Sequence, residues 1–527
     1  TFVAVFPKVI CSFLHFGHLI FMNLLVGSFI FTIFNSLNKL QVIFVHLYTF
    51  PFAEIIKIIY YTIKINCMLN NKNKLAYALF FVFVIIFILI VLKGLMAPQP
   101  GDENVYYYMG KMVSEGKIPY RDFFLAHPPL HIYLIALIYK IFGFNIIILK
   151  AVPLISILIS AFFIFKISNE KFGNSEAITA SLLFLFSYST MFNSVFSFGV
   201  DVATMFLVMG LYFLWNKNNG ILAGLFFGFA GVTRLLGLIP LSIIFALVLL
   251  STRKNFLKLS SGFFIIFLLI NGIFILFLGN YYTEQVYKYH LLKSLGNKEN
   301  FKEYFDIIKL NWILFLSALL FIFIKDKKPI NRLVIVSVTY LIALILLKKI
   351  FGFYFIIIFP FLAIIGGYSI VNLFMNINLQ KNLKIFVLVL LLLILIWDFV
   401  ANVSFLEKIG FTGFERGKDL INFINSVSNR DTLLFGDASA VPLLALLTNK
   451  KIALDFVDTN DQVFISGVRN LDNALNSLKG KDILFIIRDK QGISYFSEVK
   501  NYLNLNCEFL SQFHDKIEGS YLVYRCS

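Results

Sequence analysis

The sequence predicts a polytopic α-helical membrane protein with a C-terminal α/β domain that faces water. Three observations predict it. Of 527 residues, 59% are hydrophobic and only 14% are charged, against about 25% charged in an ordinary soluble domain. Apolar runs recur from Leu75 to Val400, many near the roughly 17–25 residues that a bilayer crossing takes. Beyond residue 400 the pattern changes to short alternating helix and strand signals with balanced charge, 15 Asp+Glu against 14 Lys+Arg.

The net charge of +17 invites a nucleic-acid reading, which its distribution excludes. The first 400 residues hold 32 basic and 14 acidic residues, a surplus that fits short cytoplasmic loops obeying the positive-inside rule. Nucleic-acid binding needs a basic stripe on a soluble face, and the tail has none. The cysteines, Cys11, Cys67, Cys507 and Cys526, include no pair at metal-ligand spacing. Cys507 and Cys526 share the water-facing domain. They form a disulfide if that domain meets an oxidising compartment, and two unpaired thiols are the alternative.

In chain order, residues 1–67 carry apolar stretches near 9–34 and 41–63, and Met68 opens MLNNKNKLAY, a short basic leader before a clean apolar segment. Residues 1–67 read either as native sequence or as a mis-called upstream extension, and the functional reading draws nothing from them. Twelve apolar segments follow, near 75–96, 128–143, 146–166, 176–192, 199–215, 221–233, 235–251, 256–279, 310–324, 331–347, 352–374 and 382–400. Polar loops 97–127 and 280–308 interrupt them. Five basic clusters punctuate the series: Lys72 and Lys74; Lys217; Arg253, Lys254 and Lys258; Lys325, Lys327 and Lys328; Lys381 and Lys384. Placing all five inside a plasma membrane leaves both polar loops and the C-terminal domain outside. Four segments separate loop 97–127 from Lys217, whereas opposite sides require an odd number of crossings. One segment between 128 and 215 must therefore be re-entrant or lie along the surface, which leaves 11 full spans after Met68 in a membrane domain over 68–405.

The tail, 410–527, reads as a small α/β domain with a partly parallel sheet. Helices are expected at 416–428, 438–448 and near 494–503. Strands are expected at 431–437, 451–456, 481–487, 505–511 and 519–525.

Loop 97–127, APQPGDENVYYYMGKMVSEGKIPYRDFFLAH, is the sharpest feature. Pro100 and Gly101 end the first span. Asp102 and Glu103 then open a short helix with Val105, Tyr108, Met109 and Met112 on one face, the spacing of a helix lying in the lipid–water interface. A structural reading competes, with Asp102 as the N-cap and Glu103 complementing the helix dipole. The loop ends with Arg121, Asp122 and His127, just before HPPL enters the next segment.

Acidic pair, interfacial helix, PYRDF and HPPL, in that order, resemble the first external loop of the GT-C superfamily of membrane glycosyltransferases. The likeness is to members related to protein O-mannosyltransferases and to the aminoarabinose transferases of lipid A. FAGVTRLLGLIP (229–240) resembles the family's glycine-rich helix ending in Thr-Lys, with Arg234 in place of the lysine. LKKIFGFYFIIIFPFLAIIGG (347–367) is similar to a late Lys-Tyr-Pro segment and contains Lys348, Lys349 and Tyr354. FGDASAVPLLALLTNKKIALDFVDTN (435–460) resembles the C-terminal domain of some prokaryotic relatives. The resemblance implies inverting transfer of a sugar from a polyprenyl- or dolichyl-phosphate donor to a protein, lipid or glycan acceptor at the external face. It also implies Asp102 as the base and Glu103 as a substrate contact.

Such chemistry needs a base for the acceptor hydroxyl and cations for the departing phosphate. Arg234, Lys293, Lys348 and Lys349 fall at external helix ends in the charge-derived topology. Each lysine also reads as a snorkelling anchor. An arginine near mid-bilayer costs about 2.5–3.5 kcal/mol on insertion scales, so Arg234 should have a partner. Arg121, Asp122, His127, Asp201 and Tyr354 complete the substrate-binding candidates, although His127 beside Pro128-Pro129 also reads as a loop cap. Tyr282 and His290 either line the acceptor side or belong to a solvated loop. Asp102, Glu103 and Asp201 offer oxygen ligands for a divalent cation such as Mg²⁺ or Mn²⁺, which the protein-mannosylating branch of the resemblance does not need. Two other classes compete: a transporter or flippase of a lipid-linked saccharide, with charges at the midplane, and a catalytically inactive scaffold. The tryptophans, Trp215, Trp312 and Trp397, lie outside the tail, so it has no WWDYG-type oligosaccharyltransferase motif.

Overall fold

A computed structural model describes residues 72–293, 297–376, 381–411, 413–515 and 519–527; segment 1–67 lies outside them. The chain begins with α1 (Lys72–Met96) and the loop helix α2 (Glu103–Ser114). It continues through α3 (Leu130–Phe142), α4 (Ile146–Lys171), α5 (Asn174–Leu185), α6 (Tyr188–Asn193), α7 (Val200–Trp215), α8 (Gly220–Thr233), α9 (Leu238–Ser251) and α10 (Arg253–Leu278). A π-helical turn, Glu284–Lys288, leads to α11 (Asn297–Leu310), α12 (Trp312–Leu319), α13 (Asn331–Ile345), α14 (Phe359–Asn376) and α15 (Lys381–Phe405). All twelve apolar segments read from the sequence are helical.

Among the described residues, four helices are long and apolar enough to cross a membrane. A fifth results if the pair 300–310 and 312–323, bent by 81°, counts as one span. α3, α7, α8, α9 and α13 are shorter, 13 to 16 residues, or roughly 20–24 Å at 1.5 Å per residue. The outward belt is apolar: Leu250, Leu276 and Phe277 are more than 80% exposed, which only lipid makes tolerable on this scale.

Polar contacts sort the loops into two ends. At one end, Lys166 and Lys217 pair with Glu170, Asn255 bonds Asn218, and Arg332 bonds Ser251. At the other end, Lys150 Nζ donates to the Gly94 and Ala97 carbonyls, and Gln285 bonds Leu125 N and Tyr120 O. Basic loops therefore gather opposite loop 97–127, as the charge argument requires.

The same end carries α2 and α3. α2 lies against the C-terminal domain along its length: Gly101 N donates to Ser439 O, Ile452 N donates to Tyr108 Oη, and Lys117 pairs with Asp455. α3 runs beside α2 in parallel. The Tyr106 and His131 rings are 5.5 Å apart, and a Cβ on Gly110 would meet Ile135. α3 therefore runs alongside α2 at this end of the bundle.

The C-terminal region contains α16 (Gly417–Val427), β1 (Leu433–Gly436), α17 (Val441–Thr448), α18 (Asp461–Ile465), α19 (Leu471–Leu478), β2 (Ile483–Arg488), α20 (Ser497–Asn506), β3 (Cys507–Asp515) and β4 (Gly519–Cys526). The sheet order is β1-β2-β4-β3, with β1 and β2 parallel and the other pairs antiparallel. Strand alternation sends Leu434, Leu484 and Ile486 to one face, where they share an apolar cluster with Val105, Tyr108, Met109 and Met112 of α2. Phe435, Ile483 and Phe485 face α19 and α20 on the other. The strand expected at 451–456 does not form. Only Ile452 bridges to Leu434, and the chain then turns with positive φ at Leu454 and Asp455, because Tyr108 holds Ile452 N and Lys117 holds Asp455.

Cys507 and Cys526, opposite each other on β3 and β4, are joined in a disulfide. Replacing both by serine should lower stability by about 2–4 kcal/mol, read as an earlier denaturant midpoint for unfolding of this sheet. An unchanged midpoint would mean that the bond does not form in the mature protein.

Candidate active site

Asp102 occupies the turn between α1 and α2. Its backbone is helical and its side chain makes no capping hydrogen bond, so the N-cap reading fails. Asn104 secures the turn instead, donating through Nδ2 to Gln99 O and Gly101 O. The Asp102 side chain is solvent-accessible, yet protein encloses it so closely that desolvation is the main influence on its carboxyl. Asp102 faces a recess bordered by the groups whose charges reach it, Arg234, Lys293, Arg488 and Asp437. Desolvation, and next the charge of Asp437, raise its pKa above the ordinary carboxylate value, against the opposing charges of Arg234, Arg488 and Lys293.

Arg234 reaches this recess from the C-terminal end of α8. α8 can sit deep because its glycines press backbone to backbone on α10: a Cβ at Gly224 would lie 2.1 Å from Leu259 O, and one at Gly262 2.1 Å from Ile221 O. This is the small-residue packing of membrane helices. Arg234 is 4% exposed, and its guanidinium carbon lies 5.0 Å from the centre of the Tyr106 ring. Gly199, with φ +77°, passes between Arg234 and His131, where a side chain would meet both within about 3.0 Å. Arg234 Nε has no hydrogen-bond partner among the described residues.

Lys293 lies in the second loop, its Nζ 5.0 Å from the Tyr289 ring centre and 5.9 Å from that of Phe351. Desolvation depresses its pKa to about 8. The His127 and His290 rings lie 5.4 Å apart, tilted by 31°. Desolvation holds His127 well below its usual value and His290 at about 3, so both are neutral near pH 7. His290 Nε2 donates to Ala126 O at 2.8 Å; these rings shape the wall and add no positive charge.

The C-terminal domain supplies groups that the sequence reading missed. Asp437, 3% exposed, accepts from Ser439 N and Ala440 N at 3.0 Å and pairs with Arg488 at 3.6 Å. Asp458 lies near Asp102 and Lys293, and desolvation raises it to about 6. Lys150 was missed as well. It is fully buried in α4 beneath the α1–α2 turn and interacts with Glu103. A lone lysine inside IIILKAVPL was a signal for it.

The other expected residues divide. Tyr354 belongs to the recess, beside Arg234, Tyr106 and Asp102. Glu103 does not: it is fully buried, its carboxylate under Gly101 on the Lys150 side, because the first helical turn points it inward. Asp201, also fully buried, heads α7. Arg121 and Asp122 are bonded to each other at 2.8 Å and lie toward the surface. Lys348 is exposed and donates to Leu291 O. Lys349 stands 5.5 Å over Phe351, within reach of Lys293. Asp102, Glu103 and Asp201 form no common ligand set, and among the described residues no three His, Cys, Asp or Glu side chains do. A cleft of about 200 Å³ opens by Asn300, Tyr304 and Lys348, and no acid lines it.

The chain is thus a helical membrane protein with an acid and two cations gathered at one end of its apolar bundle, under an α/β roof. Residues 126–281 match the dolichyl-phosphate-mannose-protein mannosyltransferase family. The structure is similar to ArnT from Cupriavidus metallidurans in the apo state (14% identity, TM-score 0.58, covering 84% of this chain and 97% of that one). It is also similar to the same protein bound to undecaprenyl phosphate (13%, 0.59, 84% and 98%). Archaeal oligosaccharyltransferase AglB from Archaeoglobus fulgidus, in complex with an inhibitory peptide and a dolichol-phosphate, matches at 11% identity and TM-score 0.50, covering 85% and 74%. No curated protein sequence matches. The chain has the fold of the GT-C superfamily.

If Asp102 acts as a base and Lys293 as a cation, the pH dependence has two limbs. The Asp102 carboxylate is lost as pH falls through its raised value, and the Lys293 charge is lost as pH rises through about 8. Turnover should follow a bell-shaped profile, and Lys293→Arg should carry the alkaline limb beyond pH ~10, because arginine stays protonated. An unmoved alkaline limb would remove Lys293 from the site.

Proposed function

We propose that the protein is a glycosyltransferase that moves a sugar from a polyprenyl-phosphate donor to a hydroxyl acceptor at the external face of the membrane. The observation that carries this reading is Arg234, a buried guanidinium with an unpaired Nε, beside Lys293 and within range of the Asp102 charge. A buried cation with unmet hydrogen-bonding capacity is costly, and a phosphate that accepts its fork offsets that cost. Arg234 and Lys293 bind the donor phosphate and stabilise charge as it leaves, and Tyr106 and Tyr354 wall the sugar. Asp102 takes the acceptor proton during a single displacement, which inverts the anomeric centre.

The likeness to ArnT bound to undecaprenyl phosphate and to AglB in complex with a dolichol-phosphate supports a prenyl-phosphate ligand. The charges gather at one end of the bundle, which speaks against a flippase with a charged midplane. The topology belongs to the same proposal: 11 spans after Met68, α3 as the segment that does not cross, and the C-terminal domain outside.

Asp102→Asn should lower sugar transfer about 10²–10⁴-fold while undecaprenyl phosphate binds as before; full turnover would eliminate Asp102 as base. Arg234→Ala should weaken undecaprenyl-phosphate binding by about 1.5–3 kcal/mol, the worth of a hydrogen bond to a charged group, measured by calorimetry on protein in nanodiscs. For topology, a cysteine at Leu505, which is 82% exposed, should react with an impermeant maleimide on intact cells. One at Lys217 should react only after permeabilisation, and the opposite pattern would invert the orientation.

A further inference from the structure

On the water side a second cleft, about 70 Å³, separates the turn at 121–124 from the loop at 454–458. Its walls include Arg121, Phe124, Phe456, Asp458 and Arg469. Both walls carry backbone that L side chains avoid: Tyr120 at φ 71° on one, Leu454 at 57° and Asp455 at 56° on the other. Of the other non-glycine residues with positive φ among the described ones, Asn218 and Asn449 are of the type that tolerates it. Such conformations cost about 1–3 kcal/mol each and persist where surroundings hold them. Here they are held by the Lys117–Asp455 ion pair, by Tyr120 Oη donating to His127 O at 2.8 Å, and by Gln285 Nε2 donating to Tyr120 O at 2.6 Å. The opening is a fixed feature.

Its charges are unequal in their bonding. Arg121 is satisfied by Asp122, and Lys117 by Asp455. Arg469, half-buried with its guanidinium carbon 5.2 Å from the Phe456 ring centre, has no carboxylate in ion-pair range among the described residues. The cleft also adjoins the recess. Phe124 stands edge-on to Tyr289 at 5.2 Å, Lys293 lies over the other side of that contact at 5.0 Å from Tyr289, and Asp458 lines the cleft while facing Lys293 and Asp102.

We propose that this cleft is the acceptor entrance, taking from the water phase a polar, hydroxyl-bearing acceptor whose anionic group docks on Arg469. The inference rests on the glycosyltransferase reading above. The acceptor hydroxyl passes Asp458, which accepts its hydrogen bond, and reaches Asp102. Its proton goes to the Asp102 carboxylate and its oxygen bonds the anomeric carbon. The bond from that carbon to the phosphate oxygen breaks, the electron pair leaving with the prenyl phosphate. The mixed wall suits such an acceptor: one free guanidinium fork for an anion, aromatic faces for a ring or chain, and a carboxylate for hydroxyls.

The test uses the full-length protein in liposomes carrying the polyprenyl-phosphate-linked sugars of the source cells, titrated separately with aqueous-phase and lipid-phase acceptors extracted from those cells. Sugar should appear in the aqueous fraction. Arg469→Glu should raise the half-saturating amount of that fraction at least tenfold, with undecaprenyl-phosphate affinity unchanged, and Arg469→Lys should recover most of the loss. Transfer confined to the lipid fraction, or an Arg469→Glu titration that overlays the parent, overturns the entrance. If the parent protein transfers sugar to neither fraction, it is the glycosyltransferase reading that falls.

Discussion

A buried arginine is the constraint on which the rest of the architecture turns. Arg234 sits almost without solvent contact at the tip of an apolar helix, where an unaccompanied charge would not be retained for stability alone. Its position is over-determined. The Gly224–Gly262 contact fixes the depth of α8, the left-handed Gly199 clears space for the guanidinium, and the Tyr106 ring faces it. Each of these places a cation where negative charge must arrive. Asp102 and Asp201 both lie within range of its charge.

α2 transmits this constraint to the domain above. One side of the helix packs on α3 and the other joins the apolar face of the sheet, so bundle and α/β domain share one cluster of buried side chains. Backbone contacts from Gly101 to Ser439 and from Ile452 to Tyr108 set the height of the roof over Asp102. Asp437, Arg488 and Asp458 thereby enter the recess from elements more than 300 residues downstream of Asp102. Beneath the same turn, Lys150 ties the last carbonyls of α1 to the body of the bundle, which fixes where Asp102 can stand.

Much of this was legible in the sequence for identifiable reasons. Twelve apolar segments became helices because bilayer burial leaves the backbone no other way to satisfy itself. The loop helix was legible in the spacing of Val105, Tyr108, Met109 and Met112, and Arg234 in its glycine-rich context. The parity of basic loops required one segment that does not cross, and α3, parallel to α2, is the segment proposed for it. Other features depended on tertiary contacts. Whether Asp102 or Glu103 faces the recess is decided by one helical turn, and adjacent carboxylates look equivalent in sequence. Arg121 and Asp122 satisfy each other, so their charge never reaches Asp102. The 451–456 segment has strand composition, yet Tyr108 and Lys117 capture it first. Asp437 and Asp458 read as loop acids until the domain is set on α2.

The central claim is that one recess holds a prenyl phosphate between Arg234 and Lys293, with Asp102 across from it. Its most direct measurement is the position of the phosphate in an experimental density map of the protein in lipid nanodiscs with bound undecaprenyl phosphate. The account predicts phosphate oxygens at hydrogen-bond distance from the Arg234 guanidinium, about 2.7–2.9 Å, with Lys293 on the same group. Phosphate density at the opposite end of the bundle, or at the Lys348 cleft with Arg234 untouched, would contradict it.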